Sequence, residues 1–173
     1  MFETKATTIM TPGPNHVFLI IGSNLGDKKS NLEASVEMIK KQIGPVMRQS
    51  AIYETEPWGI KDQPVFYNQV VETVSELDAL SVLEAITAIE KQMGRIRTVR
   101  YGSRLIDIDI LFFNNEIIAL PTLTIPHPRI AERNFVLAPL AELAGSRLHP
   151  VLNKTIGELW AACPDQLHVK KIQ

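Results

Sequence analysis

The sequence predicts an α+β fold, because apolar runs of strand length alternate with longer segments of helical periodicity. The apolar runs are rich in β-branched and aromatic residues, which favour strands. The helical segments repeat leucine, isoleucine or valine at intervals of three and four residues. Along the chain these elements follow the order β-α-β-β-α-β, ahead of two further helical segments.

The first half of the chain begins with a buried strand over residues 16–21, where every residue after His16 is apolar. The turn GSNLGD, residues 22–27, leads into a helix that Asp27 or Ser30 caps. We interpret this turn as a strand-to-helix connection, because it lacks the Gly-Lys-Ser/Thr of a P-loop. The helix ends near Gln42, and after it come a strand at residues 46–53 and a long polar loop at residues 54–64.

In the second half, a third strand is predicted over residues 66–74 and a second helix over residues 78–93. Gly94 is expected to end that helix. The remaining predicted elements are a loop at residues 95–103, a fourth strand at 104–113, a hairpin turn at Asn114 and Asn115, and helices at 132–144 and 155–162.

This order matches the ferredoxin-like arrangement, in which helices pack on one face of an antiparallel sheet. A length of 173 residues fits one domain with a real core. Residues 1–15 are rich in threonine, proline and glycine and are expected to be a flexible extension. The single domain then covers residues 16–173. The fold supports many functions, so function must be argued from particular residues.

The composition excludes several classes of function. A formal net charge of −1 gives no reason to expect bulk binding to nucleic acid or membranes. The single cysteine, Cys163, excludes an internal disulfide and a multi-cysteine zinc site. It agrees with a reducing, cytoplasmic location. No apolar run approaches membrane-spanning length, and residues 1–15 lack the apolar core of a secretory signal.

Asp107 and Asp109 alternate with isoleucines in the fourth predicted strand, so both carboxylates point to one face. Adjacent like charges disfavour each other unless a cation or arginine neutralises them. A hard cation such as Mg²⁺ suits this pair. The simpler interpretation is two surface aspartates on a half-exposed sheet. The arginines just upstream favour the metal.

Four arginines precede the two aspartates, at positions 95, 97, 100 and 104. Clustered guanidinium groups suit a phosphate chain, and the flanking Gly94 and Gly102 favour a loop that closes over a nucleotide. The alternative is a solvated loop paired with nearby acids. Arginines, aspartates and phosphates together indicate phosphoryl-type transfer.

Trp58, Phe66 and Asn68 surround one predicted loop and strand. Aromatic rings can stack on a flat heterocycle, and an asparagine amide offers both a donor and an acceptor to its edge. Each of these residues taken alone fits core packing or a turn equally well. His127, held between two prolines, could bond a phosphate or be a structural loop histidine.

These segments together resemble the 6-hydroxymethyl-7,8-dihydropterin pyrophosphokinase family of folate biosynthesis. The matching segments are GSNLGD (22–27), YETEPWG (53–59), QPVFYN (63–68), GRIR (94–97), GSRLIDIDIL (102–111), and PHPR (126–129) with RNF (133–135). They occur in the family's order across residues 16–160.

The resemblance implies an enzyme that transfers pyrophosphate from ATP to the pterin hydroxymethyl oxygen and releases AMP. It further implies two Mg²⁺ ions held by Asp107 and Asp109, with Arg95 and Arg104 on the phosphates. The implied nucleotide residues are Glu90, Arg97, Ile110, Thr124, His127 and Arg133. The implied pterin residues are Thr55, Trp58, Phe66, Asn68, Tyr101 and Phe135.

The partners expected on this basis are ATP and 6-hydroxymethyl-7,8-dihydropterin, with the chain a monomer or a homodimer. Two alternatives stay open at this point. A non-catalytic nucleotide- or pterin-binding module would keep the ring-binding residues but would not need Asp107 and Asp109. A metal-dependent nuclease would need a broader basic groove than the net charge supports.

Overall fold

The computed structural model describes residues 13–94 and 102–172, which are organised around a six-stranded antiparallel sheet. The strands are β1 (Asn15–Ser23), β2 (Val46–Gln49), β3 (Tyr53–Thr55), β4 (Phe66–Ser75), β5 (Asp107–Phe113), β6 (Ile118–Leu120), β7 (Leu123–Ile125) and β8 (Val169–Lys171). The helices are α1 (Lys28–Gln42), α2 (Ala79–Gln92), α3 (Asn134–Ala144) and α4 (Ile156–Ala161), with a 3₁₀ turn at Ile130–Glu132.

The main sheet runs in the order β5-β1-β4-β3-β8, and β2 pairs with the far end of β4. β6 and β7 form a separate two-stranded hairpin. The predicted ferredoxin-like arrangement is confirmed, because β1 and β5 lie side by side and β4 flanks β1 on its other edge. Within the described residues, none of the helices is long and apolar enough to cross a membrane.

Aspartate side chains fix where the first two helices begin. Oδ1 of Asp27 accepts a hydrogen bond from the backbone N of Ser30 at 3.0 Å, and Oδ1 of Asp78 accepts one from Ser81 at 2.8 Å. Each bond satisfies a donor that the first helical turn leaves free. Of the two caps predicted for α1, Asp27 is therefore the one that the structure uses.

The two helices of the β-α-β-β-α-β unit, α1 and α2, pack on one face of the sheet as predicted, and α3 and α4 cover the opposite face, which was not predicted. α1 and α2 bury the face that carries Val17, Leu19 and Ile21. α3 and α4 bury the opposite face, against Phe18 and Ile20. The sequence shows β1 as an uninterrupted apolar run, and the structure gives the reason: β1 lies between β5 and β4 and is covered by helices on both faces.

A β-bulge interrupts the alternation of β5. Phe18 pairs with Phe112, whereas Leu19 pairs with Ile110, so β5 has one extra residue there. As a result, the adjacent residues Leu111 and Phe112 both belong to the core under α3 and α4, while Phe113 packs toward α1 and α2.

Other predicted boundaries change. The strand predicted at 46–53 is two strands, because the Ser50 hydroxyl takes the hydrogen bond of the Val70 backbone N and interrupts the pairing. The turn at Asn114 is not part of a β5–β6 hairpin, since β6 pairs with β7. α3 begins at Asn134 rather than Glu132. Of the predicted flexible extension 1–15, residues 1–12 lie outside the described part of the chain, and Asn15 already belongs to β1.

Candidate active site

The candidate site lies where α3 and α4 leave one end of their sheet face uncovered. Strand pairing places Asp107 opposite Gly22 and Gly22 opposite Asn68. Residues opposite each other in an antiparallel pair point to the same face. A carboxylate, a glycine and an amide thus form a row across three strands, at the base of a cavity of about 380 Å³.

The charged end of the cavity consists of Arg104, Asp107 and Asp109. Nη1 of Arg104 lies 2.8 Å from Oδ2 of Asp107. Asp109 is two residues along β5 on the same face, because Ile108 between them is buried toward α1 and α2. The sequence-based prediction that the isoleucines face the core and the carboxylates the other side is confirmed.

Asn24, which the sequence analysis did not select, fixes the segment that carries Arg104. Its Oδ1 accepts a hydrogen bond from the backbone N of Arg104 at 2.8 Å, and its backbone N donates to the Arg104 carbonyl at 3.2 Å. Its Nδ2 donates to the Pro64 carbonyl at 3.0 Å. Asn24 is 2% exposed, so the GSNLGD turn joins the two loops that border the cavity.

The ring end of the cavity consists of Thr55, Trp58, Phe66, Asn68 and Phe135. Nδ2 of Asn68 donates to Oγ1 of Thr55 at 2.7 Å, and both side chains are buried. This bond fixes the orientation of the amide. It leaves Oδ1 of Asn68 on the side of Gly22, where a Cβ atom would lie 2.5 Å away.

Two arginines of the 126–135 segment pack against Trp58. The guanidinium carbon of Arg133 lies 4.8 Å from the Trp58 ring centre and 5.6 Å from that of Phe135. That of Arg129 lies 5.5 Å from Trp58. These distances fit cation–π contacts. They place positive charge beside the aromatic groups of the ring end.

His127 is held as a neutral imidazole. Burial lowers its pKa to about 4, and the nearby Arg133 adds to the effect. Its Nδ1 lies 3.2 Å from the backbone N of Arg129. Because Nδ1 accepts that bond, the consistent tautomer carries its proton on Nε2. The side chain can therefore donate one neutral hydrogen bond into the cavity.

Of the predicted site residues, ten line this one cavity: Thr55, Trp58, Phe66, Asn68, Arg104, Asp107, Asp109, His127, Arg133 and Phe135. Their roles stay predictions. Arg95, Arg97 and Tyr101 lie outside the described residues, as does Arg100. The cavity also includes residues that were not predicted to be site residues, namely Ile20, Gly22, Glu56, Pro128 and Arg129.

Three predicted nucleotide residues lie elsewhere. The carboxylate of Glu90 is buried behind β5, where Oε1 accepts a hydrogen bond from the backbone N of Ile108 at 2.8 Å. The Ile110 side chain packs in the core beneath α1 and α2. Thr124 is an exposed residue of β7. The Glu90 side chain therefore positions β5, and the Ile110 side chain is not available to a ligand in this cavity.

The arrangement combines three kinds of chemistry. Two carboxylates on one face suit a hard cation that keeps part of its shell for water and phosphate oxygens. Arg104, Arg129 and Arg133 suit anions. The ring end suits a flat heterocycle. Within the described residues, no group of three or more histidine, cysteine, aspartate or glutamate side chains could form an all-protein metal site.

Comparison with known proteins agrees with this geometry. The family model for 7,8-dihydro-6-hydroxymethylpterin-pyrophosphokinase (HPPK) matches residues 18–145. The 2-amino-4-hydroxy-6-hydroxymethyldihydropteridine pyrophosphokinase of Bacillus subtilis is 44% identical over 130 residues, covering 75% of this chain and 78% of its own length. The enzyme of the same name from Pseudomonas aeruginosa is 37% identical, covering 86% of this chain and 91% of its own length.

Some relatives are much longer than this chain. The folic acid synthesis protein fol1 of Pneumocystis carinii is 40% identical over 86% of this chain, but the match spans only 20% of that protein. Among solved structures, Plasmodium falciparum HPPK-DHPS with pteroate has a TM-score of 0.74 at 21% identity. The match covers 86% of this chain and 44% of that one. This structural likeness supports the fold.

Proposed function

Since the chain belongs to the 7,8-dihydro-6-hydroxymethylpterin-pyrophosphokinase family, we propose that it transfers pyrophosphate from ATP to the hydroxymethyl oxygen of 6-hydroxymethyl-7,8-dihydropterin and releases AMP. The observation that carries this proposal is the row Asp107–Gly22–Asn68 across the sheet. A cation-binding carboxylate and a ring-recognising amide share one cavity, separated only by a glycine.

The pterin is proposed to bind at the ring end. Its edge carries both donors and acceptors, and the orientation of Asn68 is fixed by Thr55. A buried, oriented amide favours a ring that matches its donor and acceptor and disfavours one that leaves them unpaired. Phe135 and Trp58 provide apolar surface for the faces of the ring.

The triphosphate is proposed to bind at the charged end. Asn24 holds the backbone of Arg104 through two hydrogen bonds, and Nε of the Arg104 guanidinium donates to the Gly102 carbonyl at 3.1 Å. Nη1 of Arg104 pairs with Oδ2 of Asp107 at 2.8 Å. His127 donates from Nε2 without adding a charge. The hydroxyl oxygen attacks the β-phosphorus, the bond from that phosphorus to the α-phosphate oxygen breaks, AMP leaves and the hydroxyl proton is released to solvent. Arg104, already held in position, stabilises the negative charge of the transition state.

Asp107 and Asp109 would hold Mg²⁺, and the residues present fit this metal. Both carboxylates line the cavity on one face of β5. Mg²⁺ is commonly bound by one or two carboxylates together with substrate phosphates and water, so a larger protein ligand set is not required. The bound metal would neutralise phosphate charge and orient the triphosphate.

The test is an assay with Mg²⁺, ATP and 6-hydroxymethyl-7,8-dihydropterin in which AMP and ADP are separated. We expect AMP and the pyrophosphorylated pterin in equal amounts, with loss of the reaction after EDTA treatment and recovery with added Mg²⁺. ADP formation, or no pterin product, would contradict the proposal. Binding of both ligands without turnover would instead favour a non-catalytic module.

Variants of the carboxylate pair sharpen this test. Asp107→Asn and Asp109→Asn preserve shape but remove the charge that the metal needs, so turnover should fall by at least about 10²-fold. Glu33→Gln removes an exposed carboxylate of α1 and should leave turnover unchanged. Near-normal turnover in both aspartate variants would refute the metal role. The cytoplasmic location and the oligomeric state stay predictions.

A further inference from the structure

Residues 163–172 form a C-terminal segment that contacts both sides of the ring end, although the family match ends at residue 145. On one side, β8 extends the main sheet by pairing with β3, so that Val169 lies opposite Thr55. Beyond β3, the backbone N of Glu56 donates to the His168 carbonyl at 3.2 Å, and Oε2 of Glu56 accepts from the backbone N of His168 at 3.0 Å.

On the other side, the segment caps α3. Oδ2 of Asp165 accepts a hydrogen bond from the backbone N of Asn134 at 2.9 Å, and its Oδ1 accepts one from Leu167 at 3.0 Å. Arg133, which occupies the N-cap position of α3, makes no capping hydrogen bond with its side chain. A carboxylate at this position satisfies a free donor and complements the positive end of the helix.

A further contact links the two sides. Oε2 of Glu142, on α3, accepts a hydrogen bond from the hydroxyl of Tyr53, on β3, at 2.7 Å. Oε1 of Glu142 lies 3.3 Å from Nζ of Lys171, on β8. Consequently each of α3, β3 and β8 contacts the other two. The C-terminal segment, through β8, contacts both α3 and β3.

We propose that the C-terminal segment sets the width of the ring end, with Asp165 as a positioning residue for the acceptor ring. Asp165 does not line the cavity; it acts through the first turn of α3, which carries Phe135. β8 acts through β3, which carries Thr55 and leads into the loop of Trp58. The inference rests on the proposed function, since the ring is the pterin acceptor.

The test compares two variants that each remove a helix cap. Asp165→Ala removes the cap of α3. Asp78→Ala removes the cap of α2, in which Oδ1 of Asp78 accepts from the backbone N of Ser81 at 2.8 Å. None of the cavity-lining residues belongs to α2. Thermal unfolding reports the loss of stability in both variants, and both midpoints should fall by similar amounts.

The distinguishing measurements are acceptor affinity and the split between KM and kcat. With a non-hydrolysable ATP analogue present, calorimetry should show acceptor binding weakened about fivefold in Asp165→Ala and within twofold of wild type in Asp78→Ala. The acceptor KM should rise accordingly, while kcat at saturating acceptor changes little. Equal acceptor affinity in the two variants would overturn the inference.

Two further measurements complete the design. Asp165→Asn keeps one acceptor oxygen, and its acceptor affinity should lie between those of wild type and Asp165→Ala; it also serves if the alanine variant does not fold. Wild-type protein that makes no AMP would contradict the proposed function. Wild-type protein that makes AMP, with Asp165 variants of unaltered acceptor affinity, would contradict only the positioning role.

Discussion

A Cβ atom on Gly22 would lie 2.5 Å from Oδ1 of Asn68, which is too close for van der Waals contact, so the Asn68 amide would have to move. The amide is not free to move, because its Nδ2 is bonded to the buried hydroxyl of Thr55. Gly22 is thus required by the side chain of Asn68 on the neighbouring strand rather than by its own backbone angles.

Gly22→Ala should therefore weaken pterin binding by displacing the Asn68 amide, while ATP binding stays near wild type. We expect a loss of about tenfold in acceptor affinity, equivalent to roughly one hydrogen bond. Separate calorimetric titrations with each ligand measure this. Gly13→Ala is the control, since a Cβ atom there meets no heavy atom within 4 Å. Unchanged acceptor affinity in Gly22→Ala would refute the role given to the amide.

Arg104→Ala should slow the chemical step much more than it weakens pterin binding. Its guanidinium lies at the charged end, where Nη1 pairs with Asp107 and Nε donates to the Gly102 carbonyl, so removing it takes away charge stabilisation in the transition state. We expect a decrease of about 10²–10³-fold in the single-turnover rate. Arg48→Ala removes an arginine–carboxylate pair with Glu72, outside the cavity, and serves as the matched control. A weakened pterin complex with a normal single-turnover rate would contradict this assignment.

His127 should make the folded protein less stable as the pH falls. Its pKa is about 4 in the folded protein and ordinarily 6.5, so between these values the unfolded chain binds a proton that the folded chain does not. Stability then decreases from about pH 6.5 down to about pH 4. Denaturant unfolding at pH 7 and pH 5 measures the free energy of unfolding. Between these pH values it should fall by roughly 1–2 kcal/mol less in His127→Asn than in wild type. Equal losses of stability in wild type and His127→Asn would contradict this assignment.

Leu137→Ala should strongly destabilise the layer that α3 and α4 form on the sheet. The side chain is 0% exposed, and truncating such a leucine leaves a cavity, which costs about 2–5 kcal/mol. Leu152→Ala, at a residue that is 44% exposed, should change the free energy of unfolding by less than about 0.5 kcal/mol. Chemical denaturation measures both, and equal effects would show that α3 contributes little to the core.

Period-two alternation was enough to predict which side of β5 carries Asp107 and Asp109. Helical spacing was enough for α1 and α2, and their caps, Asp27 (one of two residues predicted for α1) and Asp78, act through local hydrogen bonds. Such features depend on residues close in sequence. The β-α-β-β-α-β order then followed, because those elements are long and strongly patterned.

Features that depend on distant residues were not accessible in this way. Nothing near Asn24 in sequence shows that it bonds the backbone of Arg104, 80 residues later. The same holds for Asp165, which caps a helix 31 residues before it. The layer formed by α3 and α4 was not predicted, because the apolar sequence of α3 fits a buried helix on either face of the sheet. Glu90 was predicted to line the nucleotide site, and that role stays a prediction; its bond to the backbone N of Ile108, 18 residues later, was not visible in the sequence.

The extra residue in β5, Leu111, divides the strand into a part that carries the cavity aspartates and a part that packs in the core. Before the bulge, odd-numbered positions face the cavity; after it, Phe113 faces α1 and α2 instead. The first half can thus keep its aspartates aligned with Gly22 while the second half follows the spacing of the core. Deleting Leu111 would leave Ile110, Phe112 and Phe113 in regular alternation opposite Leu19, Phe18 and Val17, at the cost of one buried side chain. A deletion on either side of the bulge would instead shift the register against β1, so length changes in related chains should be tolerated at Leu111 and not in the rest of β5.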